Sequence, residues 1–215
     1  MNILARAYDA LGGWERYHDI KQIQYQKRSV LYYEDGSIES ESEQTHVYNL
    51  QPHLSGVITT HHPESKRGEI IYDGSSQNEK PAEKAFLTSH FVLFAPFKLG
   101  DPNTSLVRLK DRQLENGMNV HAIEATYDPD PYANHSTDDT WTYFFEKETG
   151  HFAGYLVHHP PTYAFIQNTE VITAGEMTWP AHRKSYRSDP DLTKTYLRGE
   201  FWYSDYKIIY KSHRE

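Results

Sequence analysis

Hydrophobic and polar residues alternate along most of this chain, which is the pattern of β-strands that bury one face. The first alternating run begins at Ile20 and turns back at Asp35-Gly36. Later runs turn at Asn116-Gly117 and at Glu148-Thr149-Gly150, which are residue types common in tight turns between paired strands. The pattern predicts about ten strands joined mostly in chain order by short turns, and therefore a mainly β, antiparallel sheet.

Two segments have helical spacing instead. Apolar residues recur every three or four positions from Leu4 to Leu11, and Gly12-Gly13 follows as a stop. A more apolar segment begins at Pro81 and contains good helix formers, which predicts a helix from Ala82 to Phe94 that ends before Pro96. This helix is apolar nearly all round, so it must be buried or cover an apolar surface. We predict two or three helices in all, with the Ala82–Phe94 helix lying over the mouth of the sheet.

Composition narrows the class of protein. The chain has 215 residues and is predicted to form a single domain over 1–215. Aromatic residues make up 14% of it, including 17 tyrosines, which suits a sheet because rings pack well on a pleated surface. The formal charge is −8 with no basic run, which argues against nucleic-acid binding. The absence of cysteine excludes disulfides, thiol nucleophiles and zinc sites built on cysteine.

The 13 histidines raise the question of a metal centre. Two HHP triplets, His61–Pro63 and His158–Pro160, would each have to supply one ligand, with His46 or His121 as a third. Neighbouring side chains of a strand point to opposite faces, and proline cannot continue a central strand. We therefore interpret both triplets as strand ends and predict no metal site. The acidic run Asp128–Asp139 lacks the spacing of a calcium loop and is predicted to be solvated.

Aromatic residues also form rows along the predicted strands. Trp141 and Tyr143 share one strand face with Phe145. Phe152 and Leu156 are predicted to share a face of the next strand with His158, if the alternation is uniform. Such rows are ordinary core at any single position, but together they could line one face of a sheet.

Three parts of the sequence carry a resemblance to a known family: the opening ARAYDALGGWERYHDIKQIQYQ, the central FFEKETGHFAGYL, and the closing MTWPAHRKSYR with FWYSDYKI. They give a helix with a Gly-Gly stop before the first strand, a turn between two middle strands, and a proline-containing element before the last strands. This layout resembles the bacterial lipoprotein-carrier superfamily, the Lol-type half-barrel proteins, and within it a lipoprotein-like branch of Bacteroidetes-type bacteria. The resemblance implies a strongly curved antiparallel sheet, open on one side, whose apolar concave face is partly covered by helices.

The resemblance also implies a location in the periplasm or cell envelope and contact with a membrane surface or a lipoprotein. Two departures limit what it implies. Family members begin with a signal or lipoprotein leader, which this sequence does not show, so a cytoplasmic location stays open. The arginine on which the carriers depend matches no position of this chain, so lipoprotein transport does not follow.

A curved sheet with a ring-lined concave face and an apolar helix over it describes a pocket. Tyrosine has an apolar body and a polar tip, which suits an amphiphile. We therefore predict non-catalytic binding of a lipid or another apolar or amphiphilic ligand, with no cofactor. The residues predicted to contact the ligand are Tyr25, Phe91, Phe94, Trp141 and Tyr143, with both phenylalanines near Trp141 and Tyr143. Two alternatives stay open: a metal-dependent enzyme that uses histidines from facing strands, and a structural or partner-binding domain of the cell envelope.

Overall fold

One antiparallel sheet organises the computed structural model, which describes residues 2–61, 68–74, 81–102, 104–128 and 139–212. Its strands are β1 (Ile20–Tyr32), β2 (Ile38–Asn49), β3 (Ser55–His61), β4 (Gly68–Tyr72), β5 (Thr104–Arg108), β6 (Arg112–Gln113), β7 (Asn119–Tyr127), β8 (Thr140–Glu146), β9 (Phe152–His159), β10 (Thr162–Ala174), β11 (Met177–Ser188) and β12 (Lys194–Tyr210). The described residues thus form twelve strands, of which β6 has only two residues, in agreement with the mainly β sheet of about ten strands predicted from the sequence.

The strands lie side by side in the order β4-β3-β2-β1-β12-β11-β10-β9-β8-β7-β5, and β6 also pairs with β7. Strands β1 to β4 and strands β7 to β12 each follow chain order in the sheet, and the pairing of β1 with β12 joins the two runs. Strands β5 and β6 both pair with β7. Every one of these pairings is antiparallel. Strands β4 and β5 do not pair with each other, so the sheet stays open, and the predicted open half-barrel is confirmed.

The predicted turns form because their glycines have backbone angles that other residues rarely adopt. Gly36 between β1 and β2 has φ 84°, Gly117 between β6 and β7 has φ 84°, and Gly150 between β8 and β9 has φ 81°. Positive φ is the conformation that glycine adopts without a steric penalty. The three turns fix the register of the strands on either side of them.

Three α-helices occur in the described part of the chain: α1 (Ile3–Ala10), α2 (Trp14–Asp19) and α3 (Pro81–Leu93), and a 3₁₀ turn follows at Phe97–Gly100. The Asn2 side chain accepts a hydrogen bond from the Leu4 backbone N–H and caps α1. Helix α3 begins and ends within one residue of the predicted bounds. Both predictions from apolar spacing are thus confirmed.

Helix α3 packs on one face of the sheet, which we call the concave face. Its Phe86 ring contacts the rings of Tyr48 and Tyr72, with ring centres 4.9 and 5.1 Å away. Further along, Phe91 meets Trp141 at 5.0 Å. These contacts belong to one large apolar cluster, the concave cluster, which includes the buried residues of α3 and the inward-facing residues of the strands. The predicted helix over an apolar sheet face is therefore confirmed.

A second, smaller cluster lies on the opposite face, which we call the convex face. This convex cluster consists of Leu114, Val120, Ala122, Phe144, Ala153, Leu156 and Phe165. Adjacent strand residues divide between the two clusters: Tyr143 belongs to the concave cluster and Phe144 to the convex one. The same division separates Ile166 from Phe165, as the period of two requires.

One predicted row is corrected by a bulge in β9. Phe145 pairs with Phe152 and Phe144 with Gly154, which leaves Ala153 without an opposite residue on β8. Phe152 therefore packs in the concave cluster, whereas Leu156 packs in the convex one. A Cβ atom on Gly154 would lie 2.1 Å from the Ile166 carbonyl oxygen, so this close approach requires glycine. The uniform alternation assumed for Phe152 and Leu156 was wrong for this reason.

Candidate functional site

A cavity of about 220 Å³ lies between helix α3 and the concave face. Ser89, Val92 and Leu93 form its wall on the helix side. The opposite wall is formed by strands from the middle of the sheet, with residues from β1, β9, β10, β11 and β12. The cavity, which we call the central cavity, is thus bounded by an apolar helix on one side and by the sheet on the other.

The sheet wall of the central cavity combines apolar and polar groups. Ile166 and Phe201 supply apolar surface, and Tyr155 and Tyr203 supply rings with hydroxyl groups. Burial raises the pKa of the Tyr155 hydroxyl, so this group remains a neutral hydrogen-bonding group at physiological pH. The wall can therefore contact a hydrocarbon and can also hydrogen-bond to a polar group.

Tyr25 is the one residue of the five predicted ligand contacts that lines the central cavity. It is buried in β1, where its ring stacks on His46 with ring centres 4.7 Å apart. Burial raises the pKa of Tyr25 well above its ordinary value of 10.0, and neighbouring Tyr48 adds to the effect. The Tyr25 hydroxyl is therefore neutral under ordinary conditions.

The other four predicted residues are buried in the concave cluster but do not line this cavity. Phe91 contacts Trp141, and the Tyr143 hydroxyl lies 2.7 Å from the Tyr127 hydroxyl. Phe94 packs against Trp179 instead, with ring centres 5.7 Å apart. Phe94 directly follows the last residue of α3, and its N–H donates a hydrogen bond to the His90 carbonyl oxygen at 3.2 Å.

An arginine that the sequence analysis did not identify also lines the central cavity. Arg183 on β11 is 1% exposed. Its Nε donates a hydrogen bond to Asn168 Oδ1 at 2.7 Å, and its Nη1 donates to the Val92 carbonyl oxygen at 3.0 Å. The guanidinium carbon lies 5.5 Å from the centre of the Tyr203 ring. A buried cation thus joins helix α3 to the sheet at the cavity wall.

The position of Arg183 follows from the strand period. Met177 and Trp179 are fully buried on the concave face at the start of β11, and every second residue after them should face the same way. That spacing leads to Arg183 and then to Ser185, and both line the cavity. The signal is present in MTWPAHRKSYR, but a run of charged and polar residues suggests a solvated face.

Buried histidines accompany these groups on the concave face. Burial, together with the nearby charge of Lys27, lowers the pKa of His46 from 6.5 to about 2. His46 Nδ1 lies 2.9 Å from the Tyr48 hydroxyl. His90 on α3 is also buried, and burial together with Lys98 lowers its pKa well below the ordinary value. Both imidazoles are therefore neutral at pH 7.

The HHP triplets lie at strand ends, as predicted, where the structure describes them. β3 ends at the exposed His61, and β9 ends at His159, whose Nδ1 lies 2.5 Å from Asp139. His158 stacks on Tyr163, and His121 contacts Asp111 at 3.1 Å. Among residues 2–61, 68–74, 81–102, 104–128 and 139–212, no three histidine or carboxylate side chains are grouped in a way that could hold a metal ion. His62, Pro63 and residues 129–138 of the acidic run lie outside that part.

A second cavity of about 230 Å³ lies at the other end of the helix layer. Its wall includes Tyr17 and His18 of α2, together with His90 and Lys98. It has no buried arginine, and its lysine is engaged with Asp101 at 3.0 Å. The central cavity is therefore the better candidate for a site that holds both a chain and a charged group.

Comparison with solved structures identifies the fold. A domain from Vibrio parahaemolyticus, named for outer membrane lipoprotein sorting, matches with a TM-score of 0.60 and 10% identity over 99% of this chain and 92% of that one. A LolA superfamily protein from Nitrosomonas europaea matches with a TM-score of 0.52 and 8% identity over 96% and 92%. A DUF1329 family protein from Desulfovibrio piger matches with a TM-score of 0.52 and 7% identity over 100% and 96%.

Sequence comparison gives no such match: no family model fits the chain, and a search of curated proteins found none that is similar. Within the described residues, no helix has the length and apolar character needed to cross a membrane. At identities of 7–10% the structural matches establish shape alone. This chain has the half-barrel fold of the LolA superfamily, and the resemblance predicted from its sequence is confirmed at the level of fold.

Proposed function

We propose that this protein binds a lipid or a similar amphiphile with one apolar chain, and that it does so in the central cavity without catalysing a reaction. The observation that carries the proposal is the cavity of about 220 Å³ between α3 and the concave face. Val92 and Leu93 of α3 and Ile166 of β10 give the cavity an apolar wall. An apolar chain placed there gains roughly 25 cal/mol for each Å² of its surface removed from water.

The size of the cavity limits the ligand. At about 220 Å³ it is smaller than the usual 300–1,000 Å³ of drug-sized sites, which favours a single chain over a complete two-chain lipid. The name of the matching Vibrio domain refers to the sorting of lipoproteins, whose lipid chains present the same apolar surface. That likeness supports a place for this protein in the cell envelope and contact with lipid or lipoprotein there.

Two measurements test the proposal. Native mass spectrometry and solvent extraction of freshly purified protein should reveal co-purified acyl material. After that material is removed, titration calorimetry should show binding of decanol or decanoate at a stoichiometry of one. The variant Val92→Phe places a ring in the cavity and should abolish that binding, because the chain and the ring need the same space.

The matched control is Val107→Phe, which makes the same change on the exposed edge strand β5. This control should bind as the wild type does. If neither amphiphile binds wild-type protein that has been freed of co-purified material, the interior is structural and the proposal fails. Equal binding by Val92→Phe and wild type would place the ligand elsewhere.

A further inference from the structure

Arg183 is a buried cation in the wall of the central cavity, and no carboxylate among the described residues pairs with it. Arginine keeps its charge in proteins, and an ion that is removed from water is costly unless an opposite charge or a full set of hydrogen bonds compensates it. The ion pairs of the described residues all involve other side chains. Within the described residues, Arg183 contacts neutral groups: the Asn168 amide, the Val92 carbonyl, and Tyr203 through both its ring and a side-chain hydrogen bond.

Lys27 adds a second positive charge to the cavity wall that carries Arg183. Lys27 lines the same cavity, with its Nζ 5.1 Å from the centre of the Phe201 ring. The carboxylate of Glu200 on β12 points to the opposite face, where it contacts Lys184 at 3.2 Å and His182 at 3.4 Å. Two cations therefore share the cavity wall, while the carboxylate carried by the adjacent strand is engaged elsewhere.

We propose that the ligand carries a carboxylate head group and that Arg183 binds this head group inside the central cavity. The inference rests on the proposed function and specifies its ligand as an anionic, single-chain amphiphile of the fatty-acid type. Arg183 has five N–H donors; Asn168 and Val92 each accept from one, and the Tyr203 side chain takes another hydrogen bond. The remaining donors can bind carboxylate oxygens, and Ser185 lines the cavity beside them. The chain would then lie along Val92 and Ile166.

A carboxylate is favoured over a larger anionic head by the small volume of the cavity, since a phosphate takes space from the chain. A series of ligands distinguishes a carboxylate head group from a phosphate head group. Wild-type protein freed of co-purified material is titrated with decanoate, decyl phosphate, decanol and decyltrimethylammonium, which share one chain and differ in the head. Decanoate should bind at least about tenfold more tightly than decanol, as a charge-assisted hydrogen bond provides. The cationic amphiphile should bind most weakly.

The variant Arg183→Met removes the charge and keeps an apolar stem. Its affinity for decanoate should fall to within about twofold of its affinity for decanol, whereas the affinity for decanol should stay near that of the wild type. Arg28→Met is the control, because Arg28 is half-exposed on the convex face beside Trp202 and Glu41. That variant should keep the preference for decanoate.

The outcomes separate the inference from the proposed function. If decanol and decanoate bind wild type equally, or if Arg183→Met keeps the preference, the head-group assignment is overturned and the binding of amphiphiles stands. If decyl phosphate binds more tightly than decanoate, the head group is an anion but not a carboxylate, and the proposal of a carboxylate is overturned. If no amphiphile binds, the proposed function itself fails. Should Arg183→Met not fold, Arg183→Gln replaces it, because glutamine also removes the charge and can still donate a hydrogen bond.

Discussion

The two faces of the sheet are packed by different kinds of residues. The seven buried members of the convex cluster are all apolar, and Leu109, Met118 and Leu192 from adjoining segments cover them. The concave face buries Arg183, His46 and His90 as well as tyrosine hydroxyls, and it encloses the central cavity. One face therefore has the composition of a filled core, and the other combines apolar surface with polar groups and empty space.

The difference shows where stability and binding reside. Apolar side chains packed without polar atoms stabilise a fold at no desolvation cost, which describes the convex cluster. A buried arginine and a cavity both reduce stability relative to a filled apolar core, so their presence on the concave face favours a binding role. The following predictions compare the same kind of substitution on the two faces.

The largest contrast is expected between two adjacent residues of β10. Phe165 packs in the convex cluster, and Ile166 faces the central cavity. Phe165→Ala should lower the free energy of unfolding by about 3–5 kcal/mol, because a filled core collapses poorly around the lost ring. Ile166→Ala should cost about 2 kcal/mol, since part of its surface already lacks neighbours. Urea denaturation measures both, and equal losses would mean that the faces are packed alike.

Enlarging a side chain should change stability in opposite directions on the two faces. Ala122→Leu on the convex face should cost about 1–3 kcal/mol, because Ala122 is fully buried in a filled cluster. Val92→Phe fills empty space in the central cavity and should raise the free energy of unfolding by about 0.5–2 kcal/mol. Thermal unfolding without ligand compares the two. A loss of stability in Val92→Phe would show that the cavity has no room for a ring.

Acid should destabilise the protein through the concave face. The pKa of His46 is about 2 in the folded state against 6.5 ordinarily, and that of His90 is also lowered. Below pH 6.5 the unfolded chain therefore binds protons that the folded chain does not, so stability falls as the pH falls toward the folded pKa. Between about pH 7.5 and about pH 5.5, His46 should account for a loss of about 1.4 kcal/mol, and His90 should change stability in the same direction.

The variant His46→Gln tests this pH dependence. Between about pH 7.5 and about pH 5.5, its free energy of unfolding should change by about 1.4 kcal/mol less than that of the wild type, because the contribution of His46 is removed. His151→Gln controls for the loss of a histidine as such, because His151 is half-exposed in the turn between β8 and β9. An unchanged pH profile in His46→Gln would mean that His46 becomes protonated without unfolding.

The smallest expected effect concerns a single hydroxyl. Tyr143→Phe removes the hydrogen bond between the Tyr143 and Tyr127 hydroxyls while keeping the ring in the concave cluster. The loss should be about 1 kcal/mol, the usual net contribution of one hydrogen bond. Tyr33→Phe is the control, because Tyr33 is exposed. A Tyr143→Phe variant as stable as wild type would mean that the hydrogen bond makes no net contribution.

Period and turn chemistry were sufficient to predict the antiparallel sheet and its covering helix, because the alternation, the glycine turns and the apolar run at Pro81 are set by local sequence. The open, curved shape of the sheet was implied by the family resemblance. The bulge at Ala153 was not predictable in the same way, since it depends on the approach of Gly154 to the Ile166 carbonyl of the next strand.

The candidate site was predicted only in part for similar reasons. Tyr25 was identified from its strand face, but the packing of α3 against the strands decides which rings Phe94 meets, and it packs against Trp179. Arg183 hydrogen-bonds to Asn168 on the neighbouring strand β10 and to Val92 on helix α3, and neither contact can be read from the local sequence of β11. The sequence marks the residue as charged, and only tertiary packing shows that it is enclosed.

The pairing of β1 with β12 has a consequence for how this protein comes into being. Val30 pairs with Glu200, so the middle of the sheet joins the two ends of the chain. During synthesis β1 leaves the ribosome with one edge unpaired and waits for the last strand to appear, a situation in which strands readily associate with other chains. The walls of the central cavity come from β1, β11 and β12, so the site is complete only after the whole chain has been made. A chain that lacks β12 therefore lacks one wall of the central cavity, and the arrival of β12 both closes the exposed edge and completes that cavity.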